Sequence, residues 1–194
     1  MILPFMDQSP LYNKINFNLD INDGAQTPGI VDVTLPAFLC PSDPGSNTFE
    51  LEEEGSPGTI LAVLARANYV GVFGSEELDD CEIVTPGTNC QSSGTFYQNG
   101  NTRFRDITDG LSQTLFVGER KTDATAGWYS TWVGAVPEGA ETFARVLGAT
   151  DHVPNDPASH FDDFSSHHTG GAQFLLGDGR VRFISENIDK TVYQ

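Results

Sequence analysis

Basic residues are scarce: 10 Lys and Arg stand against 27 Asp and Glu, a formal net charge of −17 over 194 residues. Phosphate is gripped by clustered Lys and Arg, so this deficit excludes nucleic acid as a partner. An anionic membrane surface is excluded on the same ground. Charged residues are only 19% of the chain, below the roughly 25% of an average soluble protein. The acidity therefore comes from missing cations and not from an excess of charge. Long apolar runs are also missing. The longest, Ile60 to Ala65, is far short of the roughly 20 residues of a membrane span, so no membrane contact is expected from the residues shown. The opening residues, Ile2 to Met6, carry neither a basic n-region nor an apolar h-region. Few Lys with many Gly, Asn, Thr and Ser still reads as an exported protein. The expectation is an extracellular or cell-surface location, with the export segment outside the chain given.

Cysteine is nearly absent, at three residues. Cys81 and Cys90 flank a turn-rich stretch that a disulfide would close easily, stabilising by roughly 2–3 kcal/mol; two free buried thiols are the alternative. Cys40 is then odd, which suggests a partner outside the chain shown. No Cys-x-x-Cys or spaced His pair marks zinc. No Gly-x-Ser-x-Gly elbow, Walker loop, dinucleotide fingerprint or His-Glu-x-x-His occurs, so the chain is not expected to be an enzyme. The runs Glu76-Glu77 and Asp79-Asp80 read as solvated loops.

What is present is a core-forming 38% of hydrophobic residues with 13 Phe, and turn-forming composition with 20 Gly and 11 Pro. The length fits one domain, 1–194. Ser9-Pro10 reads as a helix start with Leu11, Tyr12 and Ile15 on its buried face. Thr34 to Cys40 reads as extended, and Glu50 to Gly58 as a loop. Thr59 to Ala67 fits helix or strand. Tyr69–Phe73, Thr114–Glu119 and Trp128–Ala135 read as strands. Asn99-Gly100 signals a hairpin between Thr95–Tyr97 and Thr102–Arg105. Ala172–Leu176 and Arg180–Ser185 make the clearest hairpin, turning at Asp178-Gly179, with a type I′ turn expected. Ser185-Glu186 reads as the cap of a terminal helix.

Four patterns invite chemistry. His167-His168 near Asp162 and Asp163 reads as a structural pair, with ligand or general base as the sharper alternative. Asn18 to Gly24 resembles a calcium loop but fails the EF-hand spacing. Asp151, Asp156, Asp162 and Asp163 crowd one irregular segment; calcium over Thr150–Asp163 is the only metal expected, and a solvated acidic loop is the alternative. Trp128, Tyr129 and Trp132 read as core residues or, alternatively, as a carbohydrate-stacking platform.

Four ordered blocks carry a family resemblance. Phe164 to Ile184 contains His168, nine residues, then Asp178-Gly179. Before it come Phe38-Leu39-Cys40-Pro41-Ser42-Asp43, Asn68-Tyr69-Val70-Gly71, and Ile107 to Thr114 with Asp109-Gly110, followed by Gly118-Glu119. Together they resemble the bacterial DUF1559 family, pilin-like proteins with the prepilin-associated His-x9-Asp-Gly domain. The resemblance implies an α+β, pilin-like globular domain dominated by antiparallel sheet and here lacking its N-terminal long helix. It marks His168, Asp178, Gly179, Asp109, Gly110, Asn68, Tyr69, Cys40 and Pro41 as motif residues. It implies a structural pilin-like or pseudopilin-like subunit of a type IV pilus or type II secretion-like assembly. Its partners would be other pilin-like subunits, in a homo-oligomer or filament. A secreted carbohydrate-binding module is the rival reading.

Overall fold

A computed structural model describes residues 2–26, 28–78, 81, 90 and 92–194. Asp79, Asp80 and the stretch between the two disulfide cysteines lie outside the described residues.

Alternation builds the first sheet. In strand β1, Thr48–Glu53, Phe49 and Leu51 turn inward while Glu50 and Glu52 face solvent. A turn at Glu54-Gly55, with Gly55 at φ 71°, returns the chain into β2, Ser56–Ala67. The end of β2 pairs with β5, Ser130–Thr131, to give the order β1-β2-β5. Phe49, Leu51, Leu64, Val31 and Val136 close over this sheet as one core. The expected loop over Glu50–Gly58 is thus mostly strand: the outward glutamates masked a two-residue period. Thr59–Ala67 resolves to strand.

Asn68 separates β2 from β3, Tyr69–Gly74, which belongs to a second sheet. That sheet adds β4 (Leu115–Glu119), β6 (Leu147–Ala149), β7 (Gly171–Leu176) and β8 (Val181–Ser185) in the order β6-β3-β4-β7-β8. All of its pairings are antiparallel except β3 with β6. Phe164 and Phe174 pack edge to face over it, beside Val70, Val72, Ala172 and Tyr193. They sit this close because residue 118 is glycine: a Cβ there would lie 2.3 Å from the Phe164 ring. A third cluster joins Phe73, Leu78, Ala144 and Phe161 to the Cys81–Cys90 disulfide, which forms as expected.

The α+β pilin-like expectation is overturned. The described helices are single turns, α1 (Ser9–Tyr12) and α2 (Lys190–Tyr193), with short 3-10 turns at Leu3–Met6, Pro36–Phe38 and Phe104–Asp106. The protein is mostly sheet, in two small sheets covered by loops. Its many Gly and Pro divide the chain into pieces too short for helix-period packing. Other readings shift locally. Pro36–Phe38 curls where an extended run was expected. Tyr97 O accepts from Gly100 N–H, so Asn99-Gly100 makes a turn, but its flanks do not pair as strands. The strand expected over Trp128–Ala135 shrinks to Ser130–Thr131. The terminal helix is capped by Asp189, whose side chain accepts from Thr191 and Val192 N–H. Gln8, not Ser9, stands at the N-cap position of α1 and its side chain makes no cap hydrogen bond, though Leu11 is buried as expected.

Candidate functional site

Where the two sheets part lies a charged and polar cluster whose centre is buried. Asn68 sits at its centre with no exposed surface. Its Oδ1 accepts the Cys40 N–H at 2.9 Å; its Nδ2 donates to Asp43 Oδ2 at 2.7 Å and to Arg120 O at 3.0 Å. Its backbone N–H donates to Phe38 O and its carbonyl accepts from Arg120 N–H. One side chain therefore ties the 38–43 segment to the ends of β2 and β4.

Asp43 carries the charge. Its Oδ1 lies 2.6 Å from Arg66 Nη1 and accepts from Gly45 N–H, while Oδ2 also accepts from Thr122 N–H at 2.7 Å. Both side chains of the ion pair are buried. Burial works to raise the Asp43 pKa, but the Thr122 and Gly45 N–H groups, Arg66 and Asn68 outweigh it and hold the carboxyl below its ordinary value. His167 Nε2 stands 3.8 Å from the same carboxylate.

Beside this pair lies a second group. His168 Nε2 is 3.2 Å from Glu119 Oε1 and 3.6 Å from Cys40 Sγ. Glu119 is 2% exposed, and its other oxygen accepts the Gln173 N–H. The His168 N–H donates to Ser166 Oγ, which itself donates to Gly171 O, so the approach to β7 is fixed. Burial, then the neighbouring Glu119, pushes the Cys40 thiol up. Burial and the nearby Cys40 and Glu119 push Tyr69 up to about 12. The thiol is thus kept protonated, opposite to what a nucleophile needs. Glu119 and Cys40 also meet the same ring nitrogen, whereas a triad places its orienting acid and its nucleophile on different nitrogens.

The structure divides the motif residues. Cys40, Asn68, Tyr69 and His168 converge here, and exposed Pro41 turns the chain away after Cys40. Asp178 and Gly179 lie at the opposite end of β7. There Leu176 O accepts Gly179 N–H, Leu176 N–H donates to Arg180 O, and Gly179 has φ 86°. Asp178 is not left-handed, so this is a three-residue loop ending in a left-handed glycine and not the expected type I′ turn. The Asp109-Gly110 turn leads into the segment behind it: Leu111 O accepts Asp178 N–H, and Thr114 O accepts Gly177 N–H. Of the other site residues, Asp43 and Glu119 stand inside the sequence blocks without being marked as motif residues, and Arg66 and Arg120 lie outside them. Arg66, set between Ala65 and Ala67 in an apolar strand, was the available signal.

The acidic segment does not gather the expected calcium set. Asp163 accepts from His152 N–H, the His152 ring and His160 N–H, and Asp162 accepts from Leu78 N–H. Asp151 faces Lys190 and His152. Asp156 accepts from Ala158 N–H within its own turn. Asp162 instead approaches Glu77 and His160. Each of the three aromatics is half-buried and stacked on a neighbour: Trp128 on Phe161, Tyr129 on Phe49, and Trp132 on Phe38. Trp128 and Tyr129 do border a surface hollow of about 760 Å³ along β1, with Glu50, Glu52 and Arg145.

Arg120 completes the junction. It is buried among carbonyls, donating to Asp163 O, Leu147 O, Asp162 O and Ala144 O, with its guanidinium 5.0 Å from the Phe161 ring centroid. Burial lowers its pKa to about 10, so it remains a cation at neutral pH.

A family model described as "Protein of unknown function (DUF1559)" matches residues 1–191. No curated protein and no solved structure matches the chain.

Proposed function

The chain belongs to the DUF1559 family, and we propose that it serves as a non-catalytic structural subunit of an exported surface assembly of the type IV pilus or type II secretion-like class. The observation that carries this reading is the engagement of Asn68: each of its side-chain and backbone polar groups holds another segment in place. Motif residues used in this way build a scaffold. The disulfide adds support, because such bonds persist in oxidising, extracytoplasmic compartments.

Neighbouring copies of this chain would be joined through β8. It is the edge strand of its sheet, and Val181 and Phe183 are 65% and 47% exposed. An open strand edge with apolar side chains favours strand pairing with another chain. Arg182 gives this edge a local cation, which would meet a carboxylate of the neighbouring copy and offset part of the repulsion between two molecules of net charge −17. The test is surface shaving of intact native cells with protease, combined with sedimentation of the secreted fraction. The reading expects cleavage without lysis and sedimentable assemblies that Phe183→Asp disperses. A protein protected inside intact cells, with Cys81 and Cys90 reduced, overturns it.

A further inference from the structure

Cys40, Glu119 and His168 bring sulfur, oxygen and nitrogen to one point from three segments far apart in sequence. We propose that these three side chains form a zinc-class divalent metal site that locks the junction between the two sheets.

The geometry carries it. A tetrahedral zinc bonds sulfur at about 2.3 Å and nitrogen or oxygen at about 2.0–2.1 Å, which places its ligand atoms about 3.3–3.6 Å apart. Cys40 Sγ stands 3.6 Å from His168 Nε2, and that nitrogen stands 3.2 Å from Glu119 Oε1. All three ligand atoms lie within 4.8 Å of one another. The ligand types suit a borderline-soft ion; calcium and magnesium would require an oxygen shell.

Charge gives an independent reason. Glu119 is buried, and among the described residues its ion-pair partner is His168 alone. A buried carboxylate needs a cation close by. On binding, the Cys40 S–H bond breaks, its proton leaves to solvent, and sulfur bonds the metal as thiolate. Glu119 binds as carboxylate and His168 through the neutral ring. One dication then balances two anions inside the protein, without redox change. The His168 side chain is 36% exposed, so the ion can enter there and solvent can supply the fourth ligand. The outer contacts of such a site are in place, with Gln173 N–H on the second Glu119 oxygen and Ser166 fixing the His168 backbone.

The test uses the full oxidised chain, stripped with chelator, dialysed and titrated with Co²⁺ and then Zn²⁺. The expected result is one Co²⁺ per chain, with visible d–d bands, a thiolate-to-cobalt charge-transfer band in the near ultraviolet, and displacement by Zn²⁺. Cys40→Ser should abolish the charge-transfer band. His168→Ala, at a partly exposed position that keeps the fold, should weaken binding more than about 100-fold, beyond the loss that an outer partner causes. His160→Ala should leave binding intact. Absence of the thiolate band in the wild type overturns the proposal. So does binding lost in His160→Ala and kept in Cys40→Ser, which would move the ion to the Glu77, His160 and Asp162 group.

Discussion

The two ends of β7 hold residues of the same sequence motif and treat them in opposite ways. At one end His168 leans into Glu119 and Cys40, over a junction whose members come from chain segments up to 128 residues apart. At the other end Asp178 bonds Arg180, two residues on, in an exposed turn. At the first end side chains from distant segments meet around buried Glu119 and Cys40; at the second the Asp178 side chain bonds only locally, while the backbone of the turn rests on Leu111 and Thr114. The lesson is that a spaced motif can mark two separate structural jobs, and the nine residues between His168 and Asp178 are simply the length of a strand and its turns. The energetic consequences should differ accordingly.

The largest effect belongs at the buried end. Asp43→Ala leaves Arg66 as an uncompensated buried cation, which should cost about 3–5 kcal/mol by urea unfolding. Acid should reveal the same residue. The Asp43 pKa is lowered in the folded state, so its contribution is present above the unfolded value of about 3.9 and is lost as pH falls through the folded one. Wild type should therefore lose stability steeply below about pH 4, while Asp43→Asn, with that charge already gone, should show a shallower acid limb. Equal slopes would remove Asp43 from the acid transition. At the exposed end, Gly179→Val should cost about 1 kcal/mol or somewhat more, because φ 86° strains a branched residue. Asp178→Asn should shift the melting temperature less than Gly179→Val does. A larger shift for Asp178 would show that the turn is held by its side chain and not by the glycine. Thiol titration refines the picture without perturbing it: unreduced, denatured protein should yield one thiol, Cys40, and native protein should react slowly there because the sulfur is buried.

Legibility followed the same division. The β7–β8 hairpin was readable because alternation and an Asp-Gly turn act over adjacent residues. The turn type was not, since one extra loop residue changes it without altering the composition. The β1–β2 hairpin was hidden by glutamates on its solvent face. The junction was only partly readable. Cys40, Asn68, Tyr69 and His168 stood out as blocks, but nothing local says that Asp43 neutralises Arg66, or that Glu119 faces His168. Those contacts are fixed by how two sheets meet at Asn68. A metal site built from single ligands on separate segments likewise carries no spacing signature. The α+β reading failed because the second sheet is covered by a loop through Phe164 and by Tyr193 of the single-turn α2, pieces too short to form a helical layer.

The central claim is that the motif blocks act together as one junction, and a double-mutant cycle on Asp43 and Asn68 tests it most directly. Asp43→Asn, Asn68→Ala and the double variant would be unfolded in urea under one set of conditions. Because Asn68 Nδ2 donates to Asp43 Oδ2 at 2.7 Å inside a buried network, the account predicts a coupling of about 1–3 kcal/mol. Effects that add to within about 0.5 kcal/mol would mean that the two residues act independently, and would contradict it.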